Sequence, residues 1–332
     1  NLFVRDHSVK KSNKVILLIH GLGEHSGRYL NLIQDFNDKN ISVFTIDIRG
    51  HGKSEGKRGH SPFYEQLMSD IQYFVQHVTK KTSNQKHFLY GHSMGGNLVI
   101  NYSLQKDEKI NGIIATAPCI KPAIKQPRIK LLMAKLFQKL FPSFTLNNGI
   151  DINGISRNLQ VIEDYVNDPL NHNQVSVQLG LDIISSGIYA LENSQDIEVP
   201  MLVFHGRKDR LTSYNSSEKL VENSGPNVKF IGFKDAYHEI HNEPEKEELL
   251  KKLQSLLDHP FELIGHQAGV RPTTKDRRPI IGTHPKHQNL HVFNGLGTKG
   301  VMIAPYFVDQ FCDFLEGKSQ LDKEVDLNRF NL

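Results

Sequence analysis

The chain has 332 residues, 38% of them apolar, enough for one large globular domain or two ordinary ones with a substantial core. Its 40 basic and 36 acidic residues leave a formal charge of +4, interspersed without a long basic block, so a nucleic-acid partner is not expected. The two cysteines, Cys119 and Cys312, fall outside any CxxC pattern, and no apolar stretch approaches the ~18 residues of a membrane span, which argues against a disulfide framework, a cysteine zinc site and a transmembrane helix.

The opening residues lack the form of a signal peptide, and a reducing, cytoplasmic compartment fits best. In chain order, short β-branched or apolar runs bounded by turn signals predict buried strands at 15–19, 41–46, 87–90, 112–115, 201–204 and 228–233. Helical spacing appears between them, at Tyr29, Leu32, Ile33 and Phe36, then at Phe63, Leu67, Ile71, Phe74 and Val78, then over 98–104. Strands alternating with helices predict an α/β architecture, a mostly parallel sheet with helices on both faces.

The alternation breaks at about 118–198, which holds no clear strand and reads as an inserted helical cap. Its basic apolar piece, 129–144, sets Leu132, Leu136 and Leu140 among Lys130, Lys135 and Lys139. Packing onto its own domain is the commoner role for such a helix, and transient contact with a membrane surface is the other. A last helix is predicted over 245–258.

Gly91-His92-Ser93-Met94-Gly95 matches a G-x-S-x-G turn between a predicted strand and a predicted helix, the context of a nucleophile elbow. A serine hydroxyl is a weak nucleophile and needs a base, which in turn needs an orienting acid. Asp209 and His238 each follow a predicted strand, in the order nucleophile, acid, histidine, and are the expected partners; Asp235 and His241 are the competing choices. An oxyanion hole needs two backbone N–H donors, expected from Met94 and from Leu22 in the glycine-rich turn after the first predicted strand. Seventeen histidines invite a metal, yet His20, His25, His51 and His92 sit on separate loops without ligand spacing, so no metal site is expected. Asp47 and His51 are expected to brace their loop.

The segments His20-Gly21-Leu22-Gly23-Glu24-His25-Ser26-Gly27-Arg28-Tyr29, Asp47-Ile48-Arg49-Gly50-His51-Gly52, Lys208-Asp209-Arg210-Leu211, Asn167-Asp168-Pro169-Leu170 and Tyr237-His238-Glu239-Ile240-His241 resemble, in order and spacing, those of the monoacylglycerol lipases and related lysophospholipases. The resemblance runs over residues 2–258 and implies an α/β-hydrolase fold. It implies a serine hydrolase that cleaves monoacylglycerol or lysophospholipid esters, with a small-ester carboxylesterase as the alternative. By position it also implies that Glu24, Arg28 and His241 hold the glycerol headgroup. The bland alternatives are a surface pair at a helix start for Glu24 and Arg28, and a satisfied loop histidine for His241.

Beyond the last predicted helix the character changes. Residues 268–282, with 294–315, resemble the C-terminal part of FAD-dependent amino-acid oxidases of the glycine-oxidase and D-amino-acid-oxidase type. The oxidase half that would open with GxGxxG is missing from the sequence, so no cofactor is expected. The expected organisation is a hydrolase over 1–258, with its cap at about 118–198, joined to a short α+β fragment over 260–332. A deletion or assembly error fusing two neighbouring genes is the first explanation of the join, and a genuine two-domain protein the second. Sequence leaves the oligomeric state and the acyl-chain length open.

Overall fold

The computed structural model describes residues 1–105, 110–124, 127–258, 279–294 and 300–330. These fall into two units, Asn1–Phe261 and Glu262–Leu332.

The first unit is built on a seven-stranded sheet. Its strands are β1 (Phe3–His7), β2 (Lys14–Ile19), β3 (Ser42–Asp47), β4 (Lys86–His92), β5 (Gly112–Thr116), β8 (Met201–Gly206) and β9 (Val228–Phe233), in spatial order β1-β3-β2-β4-β5-β8-β9. All neighbours are parallel except β1, which lies antiparallel on β3 with Phe3 opposite Asp47. The six strands expected from apolar runs form the parallel part. The sequence reading missed β1, an edge strand whose residues alternate between half-buried and exposed around Arg5 and Asp6.

Strand periodicity divides the core into two layers. Val15, Leu17 and Ile19 of β2 point to one face, packed by Leu67, Ile71 and Phe74 of α2 (Tyr64–Lys81) and by Leu98 and Val99 of α3 (Met94–Ser103). Ile16 and Leu18 point to the other, against Leu32, Ile33 and Phe36 of α1 (Leu30–Asn37) and Leu249, Leu253 and Leu257 of α8 (Lys246–Asp258). Helix α7 (Tyr214–Asn223) lies between β8 and β9 in the chain and adds Leu220 to the first layer.

Between β5 and β8 come α4 (Arg128–Leu140), β6 (Thr145–Asn147), α5 (Leu159–Asn167), β7 (Gln174–Ser176) and α6 (Val177–Glu192). Strands β6 and β7 pair antiparallel, which corrects the expectation of no strand in this stretch; three residues each are too few for a period of two to show. The basic apolar piece packs on α6 of its own unit, as expected, but that contact covers only part of its apolar surface. Helix α4 stops at Leu140, short of Pro142, and Ile129, Leu132, Met133, Leu136 and Leu140 are all about two-thirds exposed or more. No helix among the described residues is long and apolar enough to cross a membrane.

The second unit is a small α+β structure, an antiparallel hairpin of β10 (Ile280–His284) and β11 (His287–Asn294) with α9 (Gly300–Leu315). Its core is Ile281, Leu321 and Val325, with Phe293, Phe307, Phe311 and Phe314 packed around them. Residues 268–278 and 295–299 of the oxidase-like motifs lie outside the described residues.

Candidate active site

The turn from β4 to α3 is held by steric exclusion. A methyl group at Gly91 would lie 2.2 Å from the carbonyl oxygen of Gly95, and one at Gly95 would lie 2.2 Å from that of Ile19. Between them Ser93 adopts φ 55°, ψ −113°, a conformation rare for a residue with a side chain and seen where a structure over-determines it. Three backbone bonds fix it: Ser93 N–H donates to Thr116 (3.0 Å), and its carbonyl accepts from Asn97 (3.0 Å) and Cys119 (2.9 Å). The nucleophile candidate thus stands at the N-terminus of α3, where the helix dipole favours negative charge.

The loops after β8 and β9 bring Asp209 and His238 together. Asp209 Oδ2 accepts from His238 Nδ1 at 2.7 Å, from Thr212 Oγ1 at 2.8 Å and from His205 Nε2 at 3.0 Å. Its Oδ1 accepts from the backbone N–H groups of Leu211 and Thr212. Burial raises the Asp209 pKa, but His238 and these donors outweigh it and hold the carboxyl well below its usual range. For His238 burial disfavours the charged ring, yet the adjacent Asp209 carboxylate leaves its pKa raised. Asp235, the competing acid, is an exposed partner of Lys208 at 2.8 Å and does not approach the imidazole.

Ser93 and His238 line one small pocket with Gly21, Leu22, Glu24, His92 and Glu239; Ile150, Ile155, Tyr165 and Leu211 close it. Leu22 therefore borders the pocket, while Met94 is the buried first residue of α3.

Glu24 and Glu239 on the pocket wall belong to a buried ion cluster centred on Arg28. Arg28 Nη1 donates to Glu24 Oε2 (2.5 Å) and to Glu239 Oε1 (2.6 Å), and its Nη2 to Glu239 Oε2 (3.0 Å). Glu24 Oε1 also accepts from Gly21 N–H and Tyr29 Oη–H, each at 2.6 Å, and the Arg28 guanidinium lies 4.6 Å from the Tyr165 ring centre. One guanidinium thus joins the loop after β2, the loop after β9 and the segment between β5 and β8. Burial penalises all three charges, and their mutual attraction lowers both carboxyl pKa values. The exposed surface pair considered from sequence is therefore corrected: both partners are less than a tenth exposed. Glu239 was missed, because its role comes from a contact 211 residues away in sequence. His205 was missed likewise; adjacent to the glycine that ends β8, it is inconspicuous until the fold sets it against Asp209.

His241 stacks on Tyr29 (ring centres 4.8 Å) and meets His92 edge-on (4.9 Å); it is buried, with no hydrogen-bond partner at either ring nitrogen among the described residues, and burial brings its pKa down to about 4. Neither it nor Arg28 is on the pocket wall. His25 Nε2 bonds Asp168 Oδ2 at 2.8 Å, fastening the glycine loop to the 167–170 segment, and Asp47 accepts from Ser26 and Lys53 backbone N–H groups.

A family model described as serine aminopeptidase, S33, matches residues 10–245, and one described as FAD dependent oxidoreductase matches 199–308, overlapping it. An uncharacterized abhydrolase domain-containing protein of Dictyostelium discoideum is 39% identical over 71% of the chain, which spans only 25% of that relative. The phospholipase YtpA of Bacillus subtilis (strain 168) is 30% identical over 74% of the chain and 95% of its own length. Among solved structures, a Paleococcus ferrophilus monoacylglycerol lipase is 33% identical, with a TM-score of 0.71 over 77% of this chain and 98% of that one.

The second match raises the question of FAD, whose pyrophosphate needs open space over a glycine turn at the end of a parallel strand. The glycines at those strand ends are packed from within. A methyl group at Gly21 would lie 2.8 Å from Glu24, at Gly52 2.3 Å from Asp47, and at Gly206 2.1 Å from the Tyr237 carbonyl. At the turn after β2 the Gly21 N–H is moreover taken by the Glu24 carboxylate at 2.6 Å, so this turn does not fit a flavin pyrophosphate.

Proposed function

This chain belongs to the serine aminopeptidase S33 family and is a serine ester hydrolase, and from that premise we propose that it cleaves a monoacylglycerol or lysophospholipid through an acyl-Ser93 intermediate. One observation carries the assignment: a serine forced to positive φ at a strand-to-helix turn shares a pocket with an imidazole whose Nδ1 is bonded to a buried carboxylate. Because Nδ1–H donates to Asp209, the neutral ring offers its lone pair at Nε2. There it takes the proton of Ser93 Oγ as Oγ attacks the ester carbonyl, and gives it to the leaving alkoxide oxygen as the C–O bond breaks. Water then attacks the acyl-serine, its proton passing through the same nitrogen back to Oγ. The N–H groups of Leu22 and Met94 are assigned to the oxyanion.

At the polar end, Glu24 Oε2 accepts one bond within the protein and keeps acceptor capacity for a glycerol hydroxyl, with Arg28 and His241 supporting it from behind. Exposed apolar residues on α4, interspersed with exposed Lys135 and Lys139, favour contact with a lipid surface.

A small-ester carboxylesterase is the second reading, and a specific feature favours it: the pocket at Ser93 has a volume of only ≈ 20 Å³, room for about one water. Either substrate requires the pocket to widen, and a lipid chain requires it most. Glycerol esters from acetyl to lauroyl separate the two. Lipid hydrolysis predicts specificity constants that climb with chain length, up to about fourfold per buried methylene at ~0.8 kcal/mol each. Equal constants along the series would leave the esterase.

A further inference from the structure

On the first face of the sheet, α2, α3 and α6 enclose a groove of ≈ 700 Å³ that shares no lining residue with the pocket at Ser93. Its volume is in the range of sites that hold small organic ligands. Phe63 and Tyr189 stand about half exposed at its edge, and Tyr64, Met68 and Leu104 line it further.

The polar groups of this groove are unequal. Those of Tyr64, Asn101 and Ser186 are already used: Tyr64 Oη and Ser186 Oγ both donate to Asn97 Oδ1 at 2.9 Å, and Asn101 Nδ2 donates to the Ser186 carbonyl. Glu65 and Asp182 are not. Asp182 accepts only from Gln178 Nε2, at 2.9 and 3.0 Å, and among the described residues neither carboxylate has an ion-pair partner. Among the described residues, no lysine, arginine or histidine lines the groove. Burial, with Glu65 nearby, raises the Asp182 carboxyl pKa, as expected of a half-buried anion without a counter-charge. Two carboxylates without a counter-charge among the described residues, beside aromatic side chains, define the complementary ligand.

We propose that this groove is a binding site for an organic cation, an ammonium group carried on an apolar or aromatic body, with Asp182 and Glu65 receiving the charge and Phe63, Tyr64 and Tyr189 the apolar part. The site is independent of the esterase assignment. The test is calorimetric titration of the full chain at low salt with benzyltrimethylammonium and with benzenesulfonate, which carries a similar ring and the opposite charge. The cation should bind saturably and the sulfonate should not. Asp182→Asn, which keeps the contact with Gln178, should weaken the cation at least about tenfold, and Tyr189→Ala should weaken it less. Absence of saturable binding by the wild-type chain overturns the proposal, as does equal binding of the sulfonate or an unchanged affinity in Asp182→Asn.

Discussion

Asp209 is a carboxylate with five donors around it and no exposed side-chain surface, and that saturation is what lets it fix an imidazole. In the proposed mechanism His238 must be neutral to accept the serine proton, and its pKa is raised above the ordinary histidine value of 6.5. Hydrolysis should therefore rise with pH along a limb whose midpoint lies above 6.5. Asp209→Asn should cost about 10⁴-fold, by supporting the wrong tautomer, and should move that limb down because the raising charge is gone. Asp235→Asn, altering only a surface pair, should change neither. A pH–rate series on the three proteins checks this, and equal losses in the two variants would refute the assignment. The order of Ser93, Asp209 and His238 was legible in the sequence because each follows a strand whose apolar run is unmistakable. His205 and Glu239 were not, since nothing local marks a side chain whose partner arrives from a distant loop.

At the scale of elements, strands buried on both faces announce themselves and marginal ones do not. Every residue of 15–19 is fully buried, which produced an uninterrupted apolar run; β1 has one face open, and β6 and β7 have three residues each. Helix α4 is the reverse case, a legible amphipathic pattern that packs on α6 yet leaves much of its apolar surface open, because periodicity shows that a face is apolar and not how much of it is covered. If that face meets lipid, Leu132→Asp with Leu136→Asp should reduce flotation with anionic vesicles and slow turnover of aggregated long-chain substrate. The same variant should hydrolyse a soluble short-chain ester at the wild-type rate, since substitutions at such exposed positions usually alter stability by no more than about 0.5 kcal/mol. Unchanged flotation would remove α4 from membrane contact.

Across the molecule, the candidate chemistry lies within Asn1–Phe261, and that unit carries an acid-sensitive core. His20, His51, His92 and His241 are buried with lowered pKa values, mainly through burial. Their neutral forms stabilise the fold fully above the unfolded value near 6.5, and that stability is lost as pH falls toward the folded values, about 4 for His241. Glu24, Glu239 and Asp209, also lowered, contribute stability present above the usual carboxylate range and lost below it. His238 runs the other way, stabilising when protonated, and is outnumbered. Thermal unfolding midpoints should therefore fall steadily from pH 6.5 to 4, and a flat profile would contradict this balance. The two-part organisation was legible from motifs alone, since the C-terminal motifs resemble another enzyme class and a second family model matches there. The central assignment is tested most directly by reacting the intact chain with a fluorophosphonate and mapping the adduct by mass spectrometry. One adduct on the peptide bearing Ser93, esterase activity lost in proportion to it, and neither adduct nor turnover in Ser93→Ala are predicted; activity surviving full modification of Ser93, or substantial turnover by Ser93→Ala, would contradict it.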